Sequence, residues 1–567
     1  MANAFPRSFV PAGLDPQTFK QIEPLLISLE QRPIQSAAEL EKWLLDCSEL
    51  TAVLSEAGTR REIEMTCHTD DPAIEKEYLR WVEEVQPLCK PHFQKLDEKF
   101  LASPFRAGLP KKRYFVFDRN TANDAALFRP ENIPLQTEEI KLNQARAKLA
   151  GALTVFFDGQ ERTMPQMGKY LEEPDRRLRQ FAWEAMTTRR LADEKGFHDT
   201  LDGQIAVRDR IAKNAGLQNF VEYAFKMWRR FDYTPADCFA FHDAIEKTCM
   251  PAARRMHERR CRQLNLPALR PWDLQVDPQN RPPLKPFTTA EELAELTERI
   301  VRRVDAELGD EFRGLRNEKL LDLDSRPGKA PGGYQSTLEE RRVPFIFMNA
   351  AGLHGDIMVL LHEAGHAFHA NAARDDGLVA YRSAPIEFCE VASMGMELLA
   401  GPELAEIYAP AERARALRRH FEGVIGLLPW VAMIDAFQHW LYTHPAHSHE
   451  ERNACWLDLN RRFGGEVDSS GYEKPLKLGW QRVLHLWQCP FYYVEYGIAQ
   501  LGALQLWANS LKDRRGAIAA YKRALALGGS RPLPELFAAA GLRFDFSAET
   551  LGPLIEQVEA HLASLPE

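Results

Sequence analysis

The chain has 567 residues, 45% of them hydrophobic, enough to bury a large core as two or more domains or as one large helical body. Its net charge of −9, from 72 basic and 81 acidic residues, excludes a global positive field that would hold nucleic acid or an anionic membrane. Nine cysteines without a CxxC pair, no uninterrupted apolar run of about 18 residues, and a start lacking the basic and apolar segments of a signal peptide lead us to expect a reducing compartment, the cytoplasm.

In chain order, apolar residues recur at helical spacing between short breaks rich in Pro, Gly, Asp or Ser, which predicts a mainly α protein. Helices are expected over Ala38–Leu54, Asp71–Leu101, Thr137–Leu153 and Asp175–Ile211, the last rich in residues that favour helix intrinsically. A division near residue 150 is drawn, with a helical region over 1–150 and a second over 151–567. The basic run from Arg254 to Arg260 reads as a solvated helix face, and the proline-rich stretch from Arg270 to Pro286 as the most loop-like of the chain.

The pattern breaks over Asp322–Thr337, which is turn-rich, and over Val343–Met348, an apolar strand whose open edge is expected to accept an extended peptide. A small sheet is therefore predicted just before the histidine-bearing helix. Gly328-Lys329 is no phosphate loop, because Ala330 follows where Ser or Thr is needed and the upstream glycine is missing.

The segment Leu361-His-Glu-Ala-Gly-His-Ala-Phe-His369 places titratable groups among Met358, Val359, Leu360 and Phe368, where unpaired polar groups would be costly. On a helix, His362 and His366 lie one turn apart and can reach one metal ion about 2.0–2.1 Å away. Glu363 points about 100° round from His362, outside the ligand set yet near a water on the ion. Together they form the HExxH pattern of zinc hydrolases. Gly365 costs about 1 kcal/mol relative to alanine in a helix, which implies that a backbone or ligand comes close there. Zinc needs a third protein ligand. Glu387, Glu390 and Glu397 share one face of a second helix opened by Pro385, antiparallel to the first, and spacing leaves Glu387 and Glu390 both open as that ligand.

His362-Glu-Ala-Gly-His366, followed by Cys389-Glu-Val-Ala-Ser393, resembles the M3 metallopeptidases, the thimet oligopeptidase and oligoendopeptidase F family. Gly328-Lys-Ala-Pro-Gly-Gly-Tyr334, Pro344-Phe-Ile-Phe-Met-Asn349 and His485-Leu-Trp-Gln-Cys-Pro-Phe-Tyr-Tyr-Val-Glu-Tyr496 extend the resemblance. It implies a large helical zincin-type fold with a small sheet beside the zinc helix and a deep substrate channel. By position it makes Glu390 the third ligand of one Zn2+ ion and places Glu397 behind a ligand histidine. Glu387 is then a solvated or supporting carboxylate, and His369 a packing histidine. Glu363 becomes the general base, and His485, Tyr493 and Tyr496 the donors to an oxyanion, with Tyr492 as an alternative register. Cys489-Pro490 departs from the thimet pattern, and Cys489, with no orienting group, is not read as a nucleophile. The resemblance also implies that the Gly332-Gly333-Tyr334 loop flexes over substrate.

The expected function is a zinc endopeptidase of short oligopeptides, with no nucleic-acid or membrane partner, as a monomer or small homo-oligomer. Two alternatives are a helical HExxH carboxypeptidase, which would need a cation for the substrate's terminal carboxylate, and an inactive peptide-binding relative. The latter is disfavoured because His362, Glu363, His366, Glu390 and His485 are all present.

Overall fold

Helix after helix starts where a side chain can replace the missing backbone partners of the first turn. In the computed structural model, which describes residues 5–326, 328–330 and 332–566, Thr234 caps Pro235–Leu264, Thr289 caps Ala290–Val304 and Ser36 caps Ala37–Cys67. Ala290–Val304 shows the reason for helix directly: Leu293, Leu296, Thr297, Ile300, Val301 and Val304 are buried at intervals of three and four. The fold is mainly α, as the spacing predicts. The helix expected over Asp175–Ile211 is two, Arg176–Ala192 and Glu194–Asn214, divided at Asp193. Among the described residues, only Pro410–Thr443 is long and apolar enough to cross a membrane, and 72% of its most apolar stretch is buried.

The chain forms two compact units, each assembled from three separate stretches, where the sequence expectation drew one cut near residue 150. One comprises Met1–Phe128, Lys285–Arg413 and Ala499–Phe544. The other comprises Arg129–Leu284, Ala414–Ile498 and Asp545–Glu567.

The first unit holds a three-stranded sheet. Val343–Ala350 lies in its centre, parallel to Leu321–Asp324 and antiparallel to Tyr334–Leu338. This corrects two expectations. The strand over 343–348 has no open edge, and the turn-rich segment contributes both strands that flank it. Lys329, its side chain fully buried, ties that segment to the central strand. Its ammonium donates to the Asp322 carboxylate (2.8 Å) and to the carbonyls of Asp324 (2.7 Å) and Met348 (2.6 Å). Pro327 and Pro331 of the same segment lie outside the described residues. After the sheet come the histidine helix, His354–Ala373, and the glutamate helix, Ile386–Ala400, which begins after Pro385.

In the second unit Arg208, fully buried, pairs with Glu139 (2.6 Å) and donates to the Tyr442 hydroxyl (2.6 Å) and to the carbonyls of Leu486 (2.9 Å) and Trp487. It thereby fixes the short turn His485–Gln488. The basic run is paired: Arg255 with Glu559 at 2.7 Å and Arg254 with Glu466 at 3.7 Å.

Candidate metallopeptidase site

The histidine and glutamate helices cross in direct backbone contact. A Cβ on Gly365 would meet the Ala392 carbonyl oxygen and the Ser393 Cα at 2.6 Å, so only glycine permits the approach that its place in the helix implied. The glutamate helix is held from its other side, where the Tyr521 hydroxyl donates to the Ala392 carbonyl (2.7 Å).

This crossing brings His362, His366 and Glu390 together. The Nε2 atoms of the two histidines lie 3.2 and 3.7 Å from one oxygen of Glu390, Oε2. Ligands about 2.0–2.1 Å from a tetrahedral ion lie roughly 3.3 Å from one another, so these three atoms already have the spacing of a metal shell. The rear of each imidazole is anchored. Glu397 Oε1 lies 2.7 Å from His362 Nδ1, and the Cys389 backbone carbonyl accepts from the His366 ring. Such outer partners fix the tautomer that leaves Nε2 to bind a metal. The Ser393 hydroxyl donates to Glu390 Oε2 (3.0 Å). Two buried or half-buried carboxylates converging on a pair of imidazoles form a donor set that calls for a cation.

Glu363 is buried, and its Oε2 has no hydrogen-bond partner among the described residues. Burial pushes its carboxyl up to about 7, against the pull of His362 and a backbone hydrogen bond from Gln335. Gln335 belongs to the edge strand Tyr334–Leu338, so that strand's outward backbone is within reach of the glutamate. Glu387 is 3% exposed, which removes the solvated alternative for this carboxylate and leaves the supporting one. His369 is buried edge-on to Phe388, with ring centroids 5.9 Å apart, and burial pushes it down to about 3, as befits a packing histidine.

Gly332 adopts a φ of +104°, which favours glycine. The loop is tethered, since the Asn349 side-chain amide donates to the carbonyls of Ala330 (2.8 Å) and Gly332 (3.0 Å). Tyr334 stacks on Phe347 (4.8 Å) and shares a 2.6 Å hydrogen bond with Thr66.

In the second unit, His485, Tyr493 and Tyr496 form one cluster. The His485 ring lies 4.7 Å from that of Tyr493 and 5.9 Å from that of Tyr496. Tyr493 opens the helix Tyr493–Lys512, which puts the two tyrosines one turn apart. Tyr492 joins them, 5.0 Å from Tyr496.

The sequence profile of peptidase family M3 matches residues 169–552, and that of the peptidase M3 N-terminal domain matches 15–128. The chain belongs to peptidase family M3. It is similar to the chromosomal oligoendopeptidase F of Lactococcus lactis subsp. cremoris, 24% identical over 249 residues, 42% of this chain and 40% of that protein. It is also similar to the Group B oligopeptidase PepB of Streptococcus agalactiae serotype III, 20% identical over 355 residues, 61% of this chain and 55% of that protein. The chain thus spans about half the length of these curated relatives, 40% and 55%. The solved structure of PZ peptidase A with inhibitor 2 superposes with a TM-score of 0.90 at 29% identity, covering 96% of each chain.

Within this M3 fold, sequence reasoning missed three contacts: the Gln335 amide on Glu363, the Ser393 hydroxyl on Glu390, and the Asn349 tether. The first and third depend on long-range pairing that no local pattern announces. Ser393 lies three residues from Glu390, a helical spacing that could have revealed it. Burial pushes the Cys489 thiol up to about 12, which agrees with its exclusion as a nucleophile.

Proposed function

We propose that this M3 chain is a zinc-dependent endopeptidase of short oligopeptides. The observation that carries the reading is the convergence of His362 Nε2 and His366 Nε2 on Glu390 Oε2, beside a buried Glu363 with an unpartnered oxygen. Two imidazoles and a carboxylate suit zinc, and Glu397 supports the set through His362. Zinc, when bound there, supplies the Lewis acidity that makes hydroxide available at neutral pH.

Glu363 takes a proton from the attacking water and hands it to the departing amine. The edge strand Tyr334–Leu338 offers its main chain to an extended peptide, a mode that tolerates varied side chains, and Gly332 and Gly333 border it. His485, Tyr493 and Tyr496 are assigned as donors to the oxyanion by the family pattern, and their clustering supports a shared role. The names of the relatives, oligoendopeptidase F and oligopeptidase, favour internal cleavage of short peptides. A cytoplasmic location is proposed with it.

Glu363→Gln is expected to keep its zinc by elemental analysis while turnover falls about 10²–10⁴-fold, the usual range for a lost general base. Normal turnover by the metal-loaded variant would remove Glu363 from the mechanism.

A further inference from the structure

The second unit contains another group of metal-type ligands, unrelated to HExxH. Helix Pro235–Leu264 carries Cys238 and His242, and helix Pro410–Thr443 carries Asp435 and His439. Each pair is spaced four residues apart, one helical turn, the same spacing that lets His362 and His366 address one ion. All four residues are at most 3% exposed.

His242 Nε2 lies 2.9 Å from Asp435 Oδ2, and His439 Nε2 lies 3.5 Å from the same oxygen. The Cys238 Sγ and the nearest ligand atoms of Asp435 and His439 are all within 4.8 Å of one another. A hydrogen-bonded His–Asp pair alone leaves this arrangement incomplete. Asp435 Oδ1 and His439 Nε2 have no hydrogen-bond partner among the described residues, although both are buried. The rings of Phe239 and Phe491, 4.8 and 5.1 Å from that of His439, wall it with apolar surface. Buried polar atoms are almost always satisfied, and two orphans belonging to one thiol, imidazole and carboxylate cluster indicate what would satisfy them.

We propose that Cys238, Asp435 and His439 hold a second divalent cation of the zinc class, with His242 orienting the Asp435 carboxylate. A thiolate together with imidazole selects zinc-like ions over magnesium or calcium. Binding releases the Cys238 thiol proton to solvent and involves no change of oxidation state. The role is structural. Beside His439, the Gln438 side chain accepts the backbone N–H of Phe491 (2.6 Å), a buried residue with a left-handed φ of 67°. Phe491 leads directly into Tyr492, Tyr493 and Tyr496, so an ion at His439 braces the segment that presents the tyrosines.

Cobalt(II) substitution of the full chain tests this separately from the peptidase reading, because the HExxH set contains no thiolate. The chain is expected to bind two cobalt equivalents and to show a near-ultraviolet thiolate-to-cobalt charge-transfer band. Cys238→Ser loses the band and one equivalent, and Cys238→His loses the band but keeps both equivalents. His366→Ala keeps the band and loses the other equivalent. A single equivalent without the band in the unsubstituted chain would overturn the proposal, as would a band that survives in Cys238→Ser.

Discussion

Glu390 Oε2 faces two imidazole nitrogens and the Ser393 hydroxyl, and each histidine is held from behind by a separate partner. That division of labour predicts unequal effects at neighbouring carboxylates. Glu390→Gln is expected to abolish tight zinc binding. Glu397→Gln, which weakens only the support of His362, should raise the zinc dissociation constant about 10–100-fold, as measured by competition with a chelator. Equal effects would contradict the assignment of Glu397 as an outer partner. At the tyrosines, the proposed oxyanion role predicts that one of the Phe variants of Tyr492, Tyr493 and Tyr496 loses about 10²–10³-fold in kcat, since a lost donor costs about 2.7–4 kcal/mol in the transition state; three variants with unchanged kcat would contradict it. The ligand spacing was legible in the sequence because residues one helical turn apart share a face whatever surrounds them. Spacing alone left Glu387 and Glu390 open. In the structure both are buried, and it is Glu390 Oε2 that meets the two histidines.

The crossing of the histidine and glutamate helices rests on Gly365, whose Cβ position is occupied by the backbone at Ala392 and Ser393. Gly365→Ala is expected to lower stability by about 1–3 kcal/mol through overpacking and, by moving Glu390, to weaken zinc binding in parallel. A variant that melts earlier with unchanged zinc affinity would show that the crossing does not set the site. The sheet behaves differently. Burial raises the Asp322 carboxyl, but hydrogen bonds from Arg326, Lys329 and Cys67 outweigh it and hold the group well below the usual carboxylate range. Its contribution to stability is therefore present above the unfolded value of about 4 and disappears as pH falls through the depressed folded value. Asp322→Asn should lower the melting temperature at pH 7 and flatten its fall between about pH 5 and pH 2, a change that thermal melts across that range would register. The apolar character of Val343–Met348 was readable, but its central position was not, because the turn-rich Asp322–Thr337 hides two strands behind Gly and Pro. Those strands are stabilised by long-range partners: the buried Lys329, and Thr66 and Thr69, whose backbones bond the loop at Ala330 and Gly328.

At the scale of the whole chain, periodicity sufficed for a mainly α fold, since each amphipathic helix declares itself within a dozen residues. The interleaving of two units from six stretches is invisible to such a reading, because it depends on contacts between residues hundreds of positions apart, such as Arg208 with the carbonyls of Leu486 and Trp487. The His/Tyr segment was legible only through its likeness to M3 sequences; its own pattern of aromatics is that of ordinary core. The central claim is that the converged His362, His366 and Glu390 hold a zinc ion used for internal peptide cleavage. It is tested most directly by a mass-spectrometric time course on a ladder of peptides with free and blocked termini, run with the zinc-loaded chain and a chelated control. The account predicts internal cleavage of blocked peptides that stops on chelation and returns with zinc. Trimming confined to free-ended peptides, or no cleavage by a zinc-loaded chain, would contradict it.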